Sequence, residues 1–110
     1  MIELDIFSDT VCPWCYIGKK RLEKAISNHK DTKFKQTWRP FQLNPGMPPD
    51  GMDRQEYLIS KFGSADAAKT IYDNIYDEGL VEDINFNFDS IMTTPNSFNS
   101  HRLLALAYKQ

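Results

Sequence analysis

The sequence predicts an α/β fold in which one parallel β-α-β unit is followed by an all-helical stretch. Three observations carry that expectation. Residues 2–7, IELDIF, alternate with a period of two, and residues 13–29 change to a spacing of three and four. Residues 44–52, NPGMPPDGM, then interrupt the chain with three prolines and two glycines, after which helical patterns dominate.

In the first segment Ile2, Leu4 and Ile6 point one way and Glu3, Asp5 and Phe7 the other, the period of a strand. Ser8–Val11 makes a short connection. From Pro13 onward, Cys15, Gly18, Leu22, Ala25 or Ile26, and His29 mark one face of an amphipathic helix over about 13–29. Proline suits the first helical position, where its missing N–H would find no partner anyway, and this makes Cys12 the N-cap. NHKDT ends the helix, and aromatic and β-branched residues in KFKQTWRPFQLNP give a second strand over about 34–43. Pro40 cannot donate to a ladder, so that strand belongs at a sheet edge. Strand, helix and strand in about 40 residues form a right-handed crossover with parallel strands.

This divides the chain into residues 1–45, the β-α-β half, and residues 46–110, a helical subdomain. Asp53 and Glu56 fit a capping box for a helix through Phe62. Ser64 caps a second helix that stops at Gly79. EDINFNFD reads equally as a short extended piece or a loop. Thr94 and Pro95 are the expected N-cap and first residue of a last helix, whose apolar density runs on through Ala107 without a stop signal. Two parallel strands make a poor sheet by themselves. The expectation is that further residues or a second chain, a dimer included, complete it.

Composition narrows the function. Apolar residues are 41% and charged residues 25% of the chain, and the net charge is −2. These are the proportions of an ordinary folded domain, with no electrostatic reason to expect nucleic acid or a membrane as partner. No run approaches the ~20 apolar residues that span a bilayer, and Glu3 and Asp5 break the apolar core a signal peptide would need. A cytoplasmic location is expected, where a structural disulfide is rare and a close cysteine pair serves redox chemistry or a metal.

That pair is Cys12 and Cys15, separated by Pro13 and Trp14. At a helix N-terminus free N–H groups and the helix dipole favour a thiolate on Cys12. Cys15, one turn on, shares its face and can resolve a mixed disulfide formed on Cys12. Pro13 stiffens the helix start. Trp14 adds no charge or histidine donor, which implies a couple between thioredoxin at about −270 mV and DsbA at about −120 mV. Zinc would need two more ligands, and the only histidines, His29 and His101, are far apart in sequence. Haem attachment would need histidine where Tyr16 stands. Redox chemistry is therefore the favoured reading, over a metal site or two inert thiols.

Other residues carry paired readings. Asp9 either influences thiol ionisation or makes a turn hydrogen bond. Lys19, Lys20 and Arg21 either attract anionic thiols or form a solvated face. Asn96, His101 and Arg102 are candidates for a substrate cleft, though polar residues on a helix surface are commoner.

FSDTVCPWCYIGKKRLEKAI, TWRPFQLNPGMPPDGMDRQEYLISKFG and TPNSFNSHRLLALA together resemble the DsbA family, and most of all its cytosolic FrnE-like dithiol–disulfide oxidoreductases and isomerases. The resemblance implies a thioredoxin fold with a helical insertion after the second strand, here without the C-terminal ββα half and its cis-proline. It implies that Cys12 is the nucleophile and Cys15 the resolving cysteine. The implied reaction is disulfide exchange with protein or small thiol substrates, with no bound cofactor and with glutathione or another thiol as electron donor or acceptor. A DsbA-like scaffold that binds a partner protein without redox turnover is the alternative.

Overall fold

The computed structural model describes residues 1–110. They form two compact units, one of Met1–Leu43 with Ser97–Gln110 and the other of Asn44–Asn96.

The first unit begins with β1 (Ile2–Ser8), α1 (Pro13–Ser27) and β2 (Phe34–Pro40). β1 and β2 pair in parallel, Ile2 opposite Phe34 through Ser8 opposite Pro40. The period of β1 is as expected, with Leu4 and Ile6 half-buried between exposed neighbours. β2 ends at Pro40 rather than near residue 43. Phe41 N–H still reaches Ser8 O (3.1 Å), but the Leu43 N–H is taken by the Asp9 carboxylate (2.8 Å), so the ladder stops. No later strand joins this two-stranded sheet. On α1 the expected stripe of Cys15, Leu22 and Ile26 is only half-buried. Ile17, fully buried, lies on roughly the opposite side of the helix at ~100° per residue. A single-stripe reading misses a helix that buries side chains on two sides.

The second unit holds β3 (Met52–Asp53), α2 (Arg54–Phe62), α3 (Ala65–Val81), a 3₁₀ turn at Phe88–Ser90 and β4 (Thr93–Thr94). Its buried apolar residues are Met47, Tyr57, Ala68, Ile75 and Ile84. The caps follow the sequence: Asp53 accepts from Glu56 N–H and Ser64 from Ala67 N–H. Gly79 does not stop α3. It is buried in the last turn, where a Cβ would lie 2.7 Å from the Phe86 ring. The stop is Asp83 in the left-handed region (φ 60°), with Ile84 N–H bonded to Gly79 O and Asp83 N–H to Leu80 O.

The stretch after Leu43 is also not wholly helical. β3 and β4 pair antiparallel, Met52 opposite Thr94. Gly51 makes this possible: it has φ 83°, and a Cβ there would sit 2.6 Å from Thr94 O. Thr94 is therefore a paired, buried strand residue whose hydroxyl accepts from Arg54, not the N-cap of the last helix. Asn96 donates to Met47 O (2.7 Å).

The last helix, α4 (Phe98–Tyr108), starts at the Ser97 cap and belongs to the first unit. The division at residues 45 and 46 thus gives way to one in which Ser97–Gln110 returns to the β-α-β elements. Side-chain contacts make that return, among them Thr10 Oγ1 with Ser100 Oγ (2.7 Å), Trp38 N–H to the Tyr108 hydroxyl (3.2 Å), and Asp9 with His101. No helix is long and apolar enough to cross a membrane.

Candidate active site

Cys12 and Cys15 sit where β1 hands over to α1. Asp9 O accepts from Cys12 N–H (3.2 Å), closing the turn that leads into the helix. Cys12 is the N-cap, extended at φ −97° and ψ 112°, and Pro13 occupies the first helical position. The Cys12 Sγ accepts from Cys15 N–H (3.3 Å), satisfying one of the donors a helix start leaves open. Both cysteines are free thiols and half-buried. Trp14 is 42% exposed beside them.

The electrostatics differ from the expectation. Burial, with the hydrogen bond and charge of Cys15 beside it, pushes the Cys12 thiol up to about 11, while the N–H donors of Cys15 and Trp14 act downward. A helix N-terminus alone would lower it. The N-cap position is legible in sequence, but the depth of the sulfur and the thiol against it are not, and these dominate.

Asp9 is the residue whose importance the sequence understated. It is 3% exposed. Its Oδ2 accepts from Leu43 N–H (2.8 Å) and its Oδ1 from His101 Nε2 (3.0 Å), and the Ser97 hydroxyl also donates to it. Burial would raise this carboxyl, but the hydrogen bonds from Leu43, Ser97 and His101 and the His101 charge outweigh it and hold the group below its ordinary value of 3.8. His101 Nε2 also faces Phe41 O (3.1 Å). Both neighbours are acceptors, so Nε2 carries a proton.

The three cleft candidates take different partners. His101 turns inward to Asp9, Arg102 bonds Asn99 Oδ1 (3.2 Å), and Asn96 lies in the other unit on Met47 O. Lys19 pairs with Glu23 along the exposed side of α1. No third His, Cys, Asp or Glu joins the cysteines in a group placed to hold a metal ion. A pocket of about 420 Å³, mostly apolar and lined in part by Thr10, Trp38, Leu104, Ala105 and Tyr108, opens within the first unit.

Residues 3–110 match the DSBA-like thioredoxin domain family. A protein described as a probable DsbA oxidoreductase of Streptomyces coelicolor has a similar crystal structure, with a TM-score of 0.84 and 32% identity over 99% of this chain and 47% of that one. YwbO of Bacillus subtilis (strain 168), itself uncharacterized, is 40% identical over 48 residues, 44% of this chain and 22% of YwbO. The matches thus span about half the length of the solved relative and about a fifth of the curated one.

Proposed function

The chain belongs to the DsbA-like thioredoxin-domain family, and on that premise we propose that it is a thiol–disulfide oxidoreductase or isomerase of the FrnE-like kind, working through Cys12 and Cys15. The observation that carries this is the pair of free cysteines at the start of α1, with Cys12 as its N-cap and its sulfur accepting from Cys15 N–H. Cys12 loses its proton and attacks one sulfur of a substrate disulfide. That bond breaks, a mixed disulfide forms, and the released thiolate takes up a proton. Cys15, deprotonated, then attacks the Cys12 sulfur, releases the second substrate thiol and leaves the pair oxidised. Two molecules of glutathione, or one molecule of a dithiol, return the pair to thiols and are oxidised to a disulfide. No bound cofactor is needed.

Cys12 is held as a thiol, so the reduced form gains little from thiolate stabilisation. This supports a couple nearer thioredoxin, about −270 mV, than the oxidant DsbA, about −120 mV. Such a couple suits reduction or isomerisation in a reducing, cytoplasmic setting. The apolar pocket that Thr10, two residues before Cys12, helps to line supports protein substrates alongside small thiols.

The test is a trapping experiment. Cys15→Ser should accumulate mixed disulfides with substrate and Cys12→Ser should form none. Turnover in both variants would sink the mechanism.

Exposed apolar side chains on α4, with Leu103 at 67%, Leu106 at 55% and Tyr108 at 63%, favour a second reading. There the domain binds a partner, a second copy or a further polypeptide that completes the sheet, with the cysteines idle. A Cys12→Ser/Cys15→Ser variant that captures the same partner would support it over the first.

A further inference from the structure

Asp9 has no part in the disulfide exchange itself, yet it is the most heavily bonded buried side chain near Cys12. Its backbone carbonyl fixes the Cys12 amide (3.2 Å). Its carboxylate gathers donors from three other places: Leu43 beyond β2, Ser97 at the start of α4, and His101 one turn further along. Ser97 makes no side-chain cap for its own helix, and its hydroxyl acts on Asp9 instead. The neighbouring Thr10 is tied to the same helix through Ser100 (2.7 Å). Two successive residues of the turn before Cys12 are thus anchored to successive residues of α4.

We propose that Asp9 and His101 are positioning residues for the cysteine pair, holding the turn that keeps the Cys12 and Cys15 sulfurs together. The inference rests on the redox function proposed above. Disulfide formation between two thiols of one chain depends on their effective concentration, which is high only while both are held in place. Here Cys15 is fixed by α1, whereas Cys12 is the N-cap and takes its position from the turn. If the Asp9–His101 contact is lost, Cys12 gains freedom, the thiols separate more often, and the disulfide becomes less favourable relative to glutathione. The oxidised chain then gives up its disulfide more readily.

The experiment is the equilibrium constant between the Cys12–Cys15 disulfide and glutathione, for the wild type and two variants. His101→Gln places an amide nitrogen where Nε2 lies and can still donate to Asp9. His101→Asn has the same chemistry but is one methylene too short. The constant should fall about tenfold in His101→Asn, the weight of one hydrogen bond to a charged group, and stay within about twofold of wild type in His101→Gln. Folding of each variant is checked by its urea transition, and Ser97→Ala, which removes one donor from Asp9, gives a milder third perturbation in the same direction. A folded His101→Asn or Ser97→Ala with the wild-type constant would overturn the proposal, as would an equal deficit in His101→Gln and His101→Asn. A wild type that forms no disulfide in any glutathione buffer would instead overturn the redox function, and this inference with it.

Discussion

Replacing Asp9 with asparagine keeps the shape of the side chain and removes its charge. The carboxylate receives three donors, Leu43 N–H, the Ser97 hydroxyl and His101 Nε2–H, at 3% exposure. Asparagine has one oxygen, so its amide group must face at least one of those donors, N–H against N–H or O–H. A hydrogen bond to a charged group contributes about 1.5–3 kcal/mol, and a buried donor left without its acceptor costs about 1–3 kcal/mol. Retention of one acceptor puts Asp9→Asn toward the lower part of their sum, about 2–4 kcal/mol. With a urea slope of about 1–3 kcal/mol per molar, the midpoint should drop by roughly 1–3 M at pH 7. The sign of the pH dependence follows from the depressed carboxyl. Its contribution is complete above the unfolded value of about 3.9 and is lost as pH falls through the lower folded value. The gap between wild type and Asp9→Asn should therefore be widest above pH 5 and narrow as pH falls through the lower folded value. Equal midpoints at pH 7, or a gap that widens on acidification below pH 5, would refute this role for the charge.

Gly79→Ala should destabilise the chain by about 1–2 kcal/mol in urea unfolding, because overlap with Phe86 outweighs the ~1 kcal/mol that alanine gains over glycine in a helix. A stabilised Gly79→Ala would mean that Phe86 yields freely. Asp83→Gly should raise stability by about 0.5 kcal/mol in the same assay, since glycine takes the left-handed stop of α3 without strain. Alkylation of Cys12 by iodoacetamide should quicken about tenfold per pH unit between pH 7 and 10, as a thiol raised to about 11 ionises. A plateau below pH 8 would show that the helix N-terminus overrides burial.

The parts of the fold that local chemistry dictates were legible. The period of IELDIF gave β1, Pro13 and Cys12 marked the start of α1, and Asp53 and Ser64 capped α2 and α3. What escaped depends on residues far apart in the chain. Thr94-Pro95 resembles a helix start, but Gly51 and Met52 recruit Thr94 into a strand pair across about 40 residues. The return of α4 to the first unit depends on Asp9–His101, Thr10–Ser100 and Trp38–Tyr108, contacts over 92, 90 and 70 residues. Local periodicity carries no sign of them. The same holds at the site. Cys12 and Cys15 announce themselves by spacing, whereas the buried carboxylate behind them reads as a turn aspartate until its partners are in view. Gly79 shows a related ambiguity, since a glycine near a helix end signals a stop or a close approach, and only Phe86 decides.

Intact mass after equilibration in glutathione buffers, acid quenching and alkylation tests the redox mechanism most directly. The two thiols should become protected together, in one transition whose midpoint lies nearer about −270 mV than −120 mV. Two alkyl groups on every molecule at every buffer potential would contradict a redox role for Cys12 and Cys15.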